Sequence, residues 1–160
     1  MKPFNVPPLQ ITRTFDAPRS EVFRWWAEAE KLQQWSGCKQ CVESEVEMDF
    51  RVGGTMRQKM KLLVNGRLCD FVLNATYEEI VVPERIRYVL DTGQQRIQVR
   101  IEFFDAMSAS GATKVVVTQE GFESAESCKM IAQGTNDSLE ELDSLLVSTG
   151  SPRAAVTERA

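Results

Sequence analysis

The sequence predicts an α+β fold in which a curved antiparallel sheet of six to seven strands wraps around one long C-terminal helix. Three observations carry this. From Leu9 to about Gly121, apolar residues alternate with polar ones in a succession of short segments, the period of strands with one wet face. Turn-forming residues separate those segments closely, as a meander of hairpins requires. The period then changes once, near Ser124, to that of an amphipathic helix.

Leu9, Ile11 and Phe15 alternate with Gln10, Thr12 and Thr14 and give the first strand. Pro18 suits a first helical position, which needs no N–H, and Val22, Phe23 and Trp26 recur on one side of a short helix. A second short helix is expected from Ala29 to Trp35. After Cys41, the residues Val42, Ser44, Val46, Met48 and Phe50 point one way, and Glu43, Glu45, Glu47 and Asp49 the other. Gly53-Gly54 supplies a reversal, after which Met56, Gln58, Met60 and Leu62 alternate with Thr55, Arg57, Lys59 and Lys61. An acidic outer row beside a basic one predicts cross-strand pairing.

Asn65-Gly66 is a strong hairpin signal and leads into a strand whose Cys69, Phe71, Leu73, Ala75 and Tyr77 share a face. Val82-Pro83-Glu84 interrupts the pattern, Ile86, Tyr88 and Leu90 resume it, and Thr92-Gly93 turns the chain again. Ile97, Val99, Ile101 and Phe103 alternate in the next strand. A loop from Met107 to Ala112 precedes the last one, around Thr113 to Gly121. Ser124 is the expected N-cap of the long helix, Glu126 favours its first turn, and Cys128, Ile131, Thr135, Ser138, Leu142 and Leu145 form its apolar stripe.

A chain of 160 residues suits one domain, expected over residues 9–147, with residues 1–8 and 150–160 as flexible ends. The net charge of -4 and scattered Lys and Arg argue against nucleic acid. No apolar run would cross a bilayer stably and no secretory signal is evident, so a cytoplasmic location with reduced thiols is expected. Histidine is absent, which excludes imidazole acid–base chemistry and His-dependent triads or zinc sites. Cys38-Lys39-Gln40-Cys41 has half-site spacing, but no second such pair or βαβ context accompanies it, so neither metal nor cofactor is expected. Gly53-Gly54 lacks the downstream residues of a phosphate cradle.

Several motifs then fall into a familiar order. They are Ala17-Pro18 followed by Val22-Phe23 and Trp35; Phe50-Arg51-Val52-Gly53-Gly54; Tyr77-Glu78-Glu79-Ile80 with Pro83-Glu84-Arg85-Ile86-Arg87-Tyr88; and Gly121-Phe122. Over roughly Leu9 to Val147 the chain resembles proteins similar to the C-terminal domain of the activator of the heat-shock-protein-90 ATPase. That family lies within the START-like (SRPBCC), birch-pollen-allergen-like helix-grip superfamily. The resemblance implies a helix-grip fold and a range of functions: binding apolar ligands, ring-forming chemistry in relatives, and chaperone contacts. The chain departs from the family at Ala75, where Gly is frequent, and at Gly134-Thr135, where Gly-Trp is common. Losing an indole there enlarges or reshapes any pocket.

A strongly bent sheet cannot touch one helix along its whole length, so a cavity is expected between them. By alternation its lining comprises Phe50, Met56, Gln58, Met60, Phe71, Leu73, Tyr88, Val99, Ile101, Phe103, Ile131, Thr135 and Ser138, with Trp35 near an entrance. Taken singly, each of these residues is more simply read as ordinary core, and only the set together favours a cavity. Gln58, Thr135 and Ser138 are the informative ones, because polar groups on apolar stripes need partners. Glu78, Glu79, Glu120 and Glu123 are acid–base candidates only if buried, and a solvated strand end is the plainer reading.

The leading expectation is binding or transport of a small apolar molecule, lipid-like or aromatic, by a monomer or weak homodimer. The alternatives are an enzyme performing cyclisation, dehydration or hydrolysis through Glu or Tyr, with catalytic residues unassigned, and a chaperone-associated interaction protein.

Overall fold

The computed structural model describes residues 6–36, 41–106 and 111–148. The elements follow in the order β1 (Leu9–Phe15), α1 (Arg19–Ala27), α2 (Ala29–Trp35), β2 (Cys41–Met48), β3 (Thr55–Val64), β4 (Arg67–Val81), β5 (Arg85–Asp91), β6 (Arg96–Asp105), β7 (Thr113–Glu120) and α3 (Ala125–Ser148). All seven strands form one antiparallel sheet, ordered β1-β7-β6-β5-β4-β3-β2. This is the α+β helix-grip arrangement: strands β2 to β7 each pair with the next, β1 closes against β7, and α3 lies in the concave face. Cys38 and most of the Met107–Ala112 loop lie outside the described residues, as do the terminal segments apart from residues 6–8.

The charged rows meet as the alternation predicts. Glu43 stands opposite Lys61, Glu45 opposite Lys59 and Glu47 opposite Arg57, so opposite charges share the wet face where like charges would repel. Val42 is a correction. A register shift between Cys41 and Glu43 turns it outward, and it is exposed rather than inward. Pro18 is another, by one position: it is the cap residue itself, in extended conformation, and its carbonyl accepts from the Glu21 and Val22 amides.

The hairpin Asn65-Gly66 has both residues at positive φ, 51° and 78°, as its turn type demands. Beyond the reach of α3 the hairpin carries exposed apolar side chains, among them Leu63, Val64, Leu68 and Phe71. The inner-face positions Cys69 and Phe71 therefore point the predicted way without being buried.

In α3 the Ser124 cap is confirmed: its hydroxyl accepts from the Ser127 amide at 3.0 Å. The deeply buried stripe differs from the expected one. Leu139, Leu142 and Leu146 are 1%, 0% and 2% exposed, whereas Cys128, Ile131, Thr135 and Leu145 are half-buried. The helix is thus sealed into the core along its C-terminal half only. Its closest backbone approaches are to β1 and α2. That end of the core also holds Phe15, Ile101, Phe103 and Val115 from the sheet and Val22, Phe23, Trp25 and Trp26 from α1. The buried Thr113 hydroxyl donates to the Ala17 carbonyl at 2.7 Å, tying β7 to the start of α1.

Candidate functional site

Direct cross-strand partners share a face of an antiparallel sheet. Following the register from one edge gives a single row across five strands of the concave face: Leu9 on β1, Gln119 on β7, Val99 on β6, Tyr88 on β5 and Tyr77 on β4. The row carries no charge. Tyr77 and Tyr88 are the only two tyrosines in the chain, and their rings meet edge to face at 6.0 Å. They end a string of aromatic contacts running Trp35, Trp26, Phe103, Phe23, Phe50, Tyr77, Tyr88, with successive centroids 4.7 to 6.0 Å apart.

Three polar groups in this row lack partners. Among the described residues neither tyrosine hydroxyl makes a hydrogen bond. Gln119, 6% exposed, donates from Nε2 to Thr135 Oγ1 at 3.1 Å, while its Oε1 is sealed from solvent and has no partner. The other sealed side-chain atom without a hydrogen-bond partner among the described residues is Arg100 Nε, which is ion-paired with Glu102 at 3.5 Å, so the tyrosine oxygens still meet accessible space. Desolvation sets the electrostatics of the row. It drives the Tyr77 phenol far above the ordinary value of 10.0, with Tyr88 beside it adding to the effect, and it pushes Tyr88 up to about 12. Tyr88 keeps some exposed surface, but the crowding around its hydroxyl is what a phenolate would feel.

The predicted lining residues fall into three groups. Tyr88 and Val99 are members of the row, Thr135 meets it through Gln119 and Phe50 through the Tyr77 ring, while Met56 and Ile131 pack on the same core; Tyr88, Ile131 and Thr135 are only half covered. Ile101 and Phe103 belong to the sealed end. Met60, Phe71 and Leu73 lie toward the β3–β4 hairpin, and Met60 and Phe71 line an open cleft of about 440 Å³ with Ser44 and a charged rim of Glu43, Glu45, Lys59, Lys61 and Asp70. A second open cleft, about 810 Å³, lies between the end of α2, the start of β2 and the middle of α3. Trp35 lines it, together with the carboxylates of Glu43, Asp137, Glu140 and Glu141. The two clefts share Glu43 and Ser44.

Gln58 and Ser138 already have partners in the protein. Gln58, 1% exposed, donates to the Ser36 carbonyl at 3.0 Å and to Ser44 Oγ at 2.9 Å, and accepts from Ser36 Oγ at 3.0 Å. It staples the end of α2 to β2 and β3. The Ser138 hydroxyl donates to the Gly134 carbonyl within its own helix. Trp35 likewise donates from Nε1 to the Trp25 carbonyl at 3.0 Å.

The carboxylate candidates lie elsewhere. Glu79 sits between Arg85 and Arg87, and hydrogen bonds from those two guanidiniums, Arg85 foremost, hold its pKa below the usual carboxylate value. That is the reverse of what a buried general acid needs. Glu120 and Glu123 are exposed. Cys69 and Cys128 are free thiols, and among the described residues no cluster of three potential metal ligands occurs. Among the same residues no helix is long and apolar enough to cross a membrane.

Gln119 and Tyr77 were not among the predicted lining residues. Alternation puts Tyr77 on the inner face, and a hydroxyl on that otherwise apolar face is the signal that could have found it. Gln119 follows Val115, Val116 and Val117, all buried, so alternation is silent about which way β7 faces.

Comparison with known proteins places this geometry. The family model described as "Activator of Hsp90 ATPase homolog 1-like protein" matches residues 16–147. No curated protein matches the chain. Among solved structures, a Chromobacterium violaceum protein is 26% identical with a TM-score of 0.73, covering 88% of this chain and 97% of its own. A Rhizobium leguminosarum protein is 27% identical with a TM-score of 0.59, covering 86% and 91%. The protein DynU16 of the dynemicin biosynthetic locus is 14% identical with a TM-score of 0.69, covering 89% of this chain and 48% of its own, a likeness of fold alone.

Proposed function

The chain belongs to the activator of Hsp90 ATPase homolog 1-like family, and from that premise we propose that it binds a small, largely apolar molecule between the concave sheet face and α3. The fold is a scaffold of the cavity-forming, ligand-binding kind. One observation carries the finer reading: α3 is buried at Leu139, Leu142 and Leu146 but only half covered at Cys128, Ile131 and Thr135, and Tyr88 and Leu90 on the sheet are half covered as well. An apolar guest entering there gains about 2.5 kcal/mol for each 100 Å² of apolar surface it removes from water.

Titration with the neutral, apolar dye Nile red tests this reading. Its fluorescence is expected to rise on binding, and Thr135→Trp, which puts an indole into the same space, is expected to weaken binding at least tenfold with the fold retained. No binding to the natural protein, or equal affinity in a folded variant, would overturn the assignment. Chemistry in the same space is the second reading. With Glu79, Glu120 and Glu123 placed outside, it would have to run on Tyr77 or Tyr88, and a guest recovered chemically altered after incubation would establish it.

A further inference from the structure

We propose, on the reading that a guest sits between the sheet and α3, that this guest is an uncharged molecule bearing a hydroxyl or carbonyl oxygen, recognised by Tyr77, Tyr88 and Gln119, and that anionic counterparts are turned away. The argument begins with hydrogen-bonding capacity. A buried polar group without a partner lowers stability, and native interiors rarely keep one without a use. Here one such group, the Gln119 side-chain carbonyl, which can only accept, lies in one register-defined row with two phenolic hydroxyls that make no hydrogen bond, meet accessible space and can each donate and accept. A hydroxyl on the guest answers both needs. It accepts from a tyrosine and donates toward Gln119 Oε1. Because Oε1 is sealed, a donor reaches it by parting Thr135 from Gln119, at the half-covered stretch of α3.

An anion is disfavoured within the row on two grounds. The row itself holds no Lys or Arg to pair with a carboxylate, and the same desolvation that suppresses phenolate formation at Tyr77 and Tyr88 opposes any buried anion. The net charge of -4 also disfavours the approach of an anion to the chain.

Three naphthalenes of nearly equal size separate the possibilities when titrated calorimetrically into the full chain at pH 7: 2-naphthol, 2-methylnaphthalene and 2-naphthoate. The expected order is naphthol tightest, by about tenfold over methylnaphthalene as one net hydrogen bond implies, and naphthoate weakest. In the Tyr77→Phe/Tyr88→Phe double variant the rings stay and the unpartnered oxygens go, so the fold should hold. The naphthol advantage should shrink to about threefold or less while methylnaphthalene affinity is kept. Gln119→Leu should also shrink it. If the natural protein shows no naphthol preference, if naphthoate binds tightest, or if the preference survives the double variant, this inference is overturned while the cavity reading stands. Absence of binding by all three overturns both. Should either variant melt early, the probe order in the natural protein still decides.

Discussion

Replacing Gln58 by leucine tests whether this amide holds the fold together or greets a guest. The side chain is 1% exposed and makes three hydrogen bonds, to the Ser36 carbonyl, the Ser36 hydroxyl and the Ser44 hydroxyl. At about 1 kcal/mol net for each neutral bond, the loss is roughly 3 kcal/mol. Leucine has a similar volume and returns about 1 kcal/mol by burying more apolar surface. Ser36 and Ser44 are only half-buried, so water can re-partner some of what is freed and the deserted groups add little. The balance is a destabilisation of about 2 kcal/mol, which for a chain of this size lowers Tm by about 4–8 °C. Thermal unfolding followed by circular dichroism measures it, with a Nile red titration below the transition. A Tm within a degree of the natural protein, or a large loss of dye affinity in the still-folded variant, would refute the structural role.

Three further outcomes are expected. A Cβ on Gly54 would fall on the Asp49 backbone carbonyl and crowd that of Arg51, whereas one on Gly53 meets open space but a φ of +86°; Gly54→Ala should fail to give soluble folded protein, and Gly53→Ala should fold with a loss of about 1–2 kcal/mol by urea unfolding. Both tyrosines titrate late, so absorbance at 295 nm should show no phenolate step near pH 10 in the folded protein and a full one in denaturant. Because the folded values are raised, the stability linked to the neutral phenols is complete below pH 10.0 and is lost as pH rises toward and past about 12 at Tyr88. At Glu79 the shift is downward, so its contribution is present above the unfolded value near 4.5 and is lost as pH falls through the lower folded value. Glu79→Gln should flatten the acid limb of a stability–pH curve there and leave the alkaline limb unchanged.

Much of the architecture was legible because each strand from β2 to β6 has one apolar face, and period-2 alternation then assigns every side chain. The concave positions Met56, Tyr88, Val99 and Ile101 follow directly. Alternation says nothing of partners, so Gln58 looked available when Ser36 and Ser44, distant in sequence, already hold it. In β7, the buried run Val115-Val116-Val117 erased the alternation that would have exposed Gln119 as an inward polar residue. The register shift at Val42 left no mark in composition. On α3 the expected stripe ended at Leu145 where the structure buries Leu146, because a regular 3.6-residue pattern over 24 residues leaves room for such a drift. That the first half of α3 is only half-buried depends on sheet curvature, which no local pattern encodes.

The Gln33 side chain accepts the Val46 amide of the outermost strand β2 at 3.0 Å. An open sheet ends in backbone groups that another chain could zip onto, and α2 puts a side-chain plug on one of them midway along this margin. Gln33→Ala would uncap that amide beside a stretch in which Cys41 and Ser44 are only half covered, so self-association rising with concentration is the expected signature. On this view the short second helix serves as a gatekeeper, keeping a seven-stranded sheet from recruiting an eighth strand.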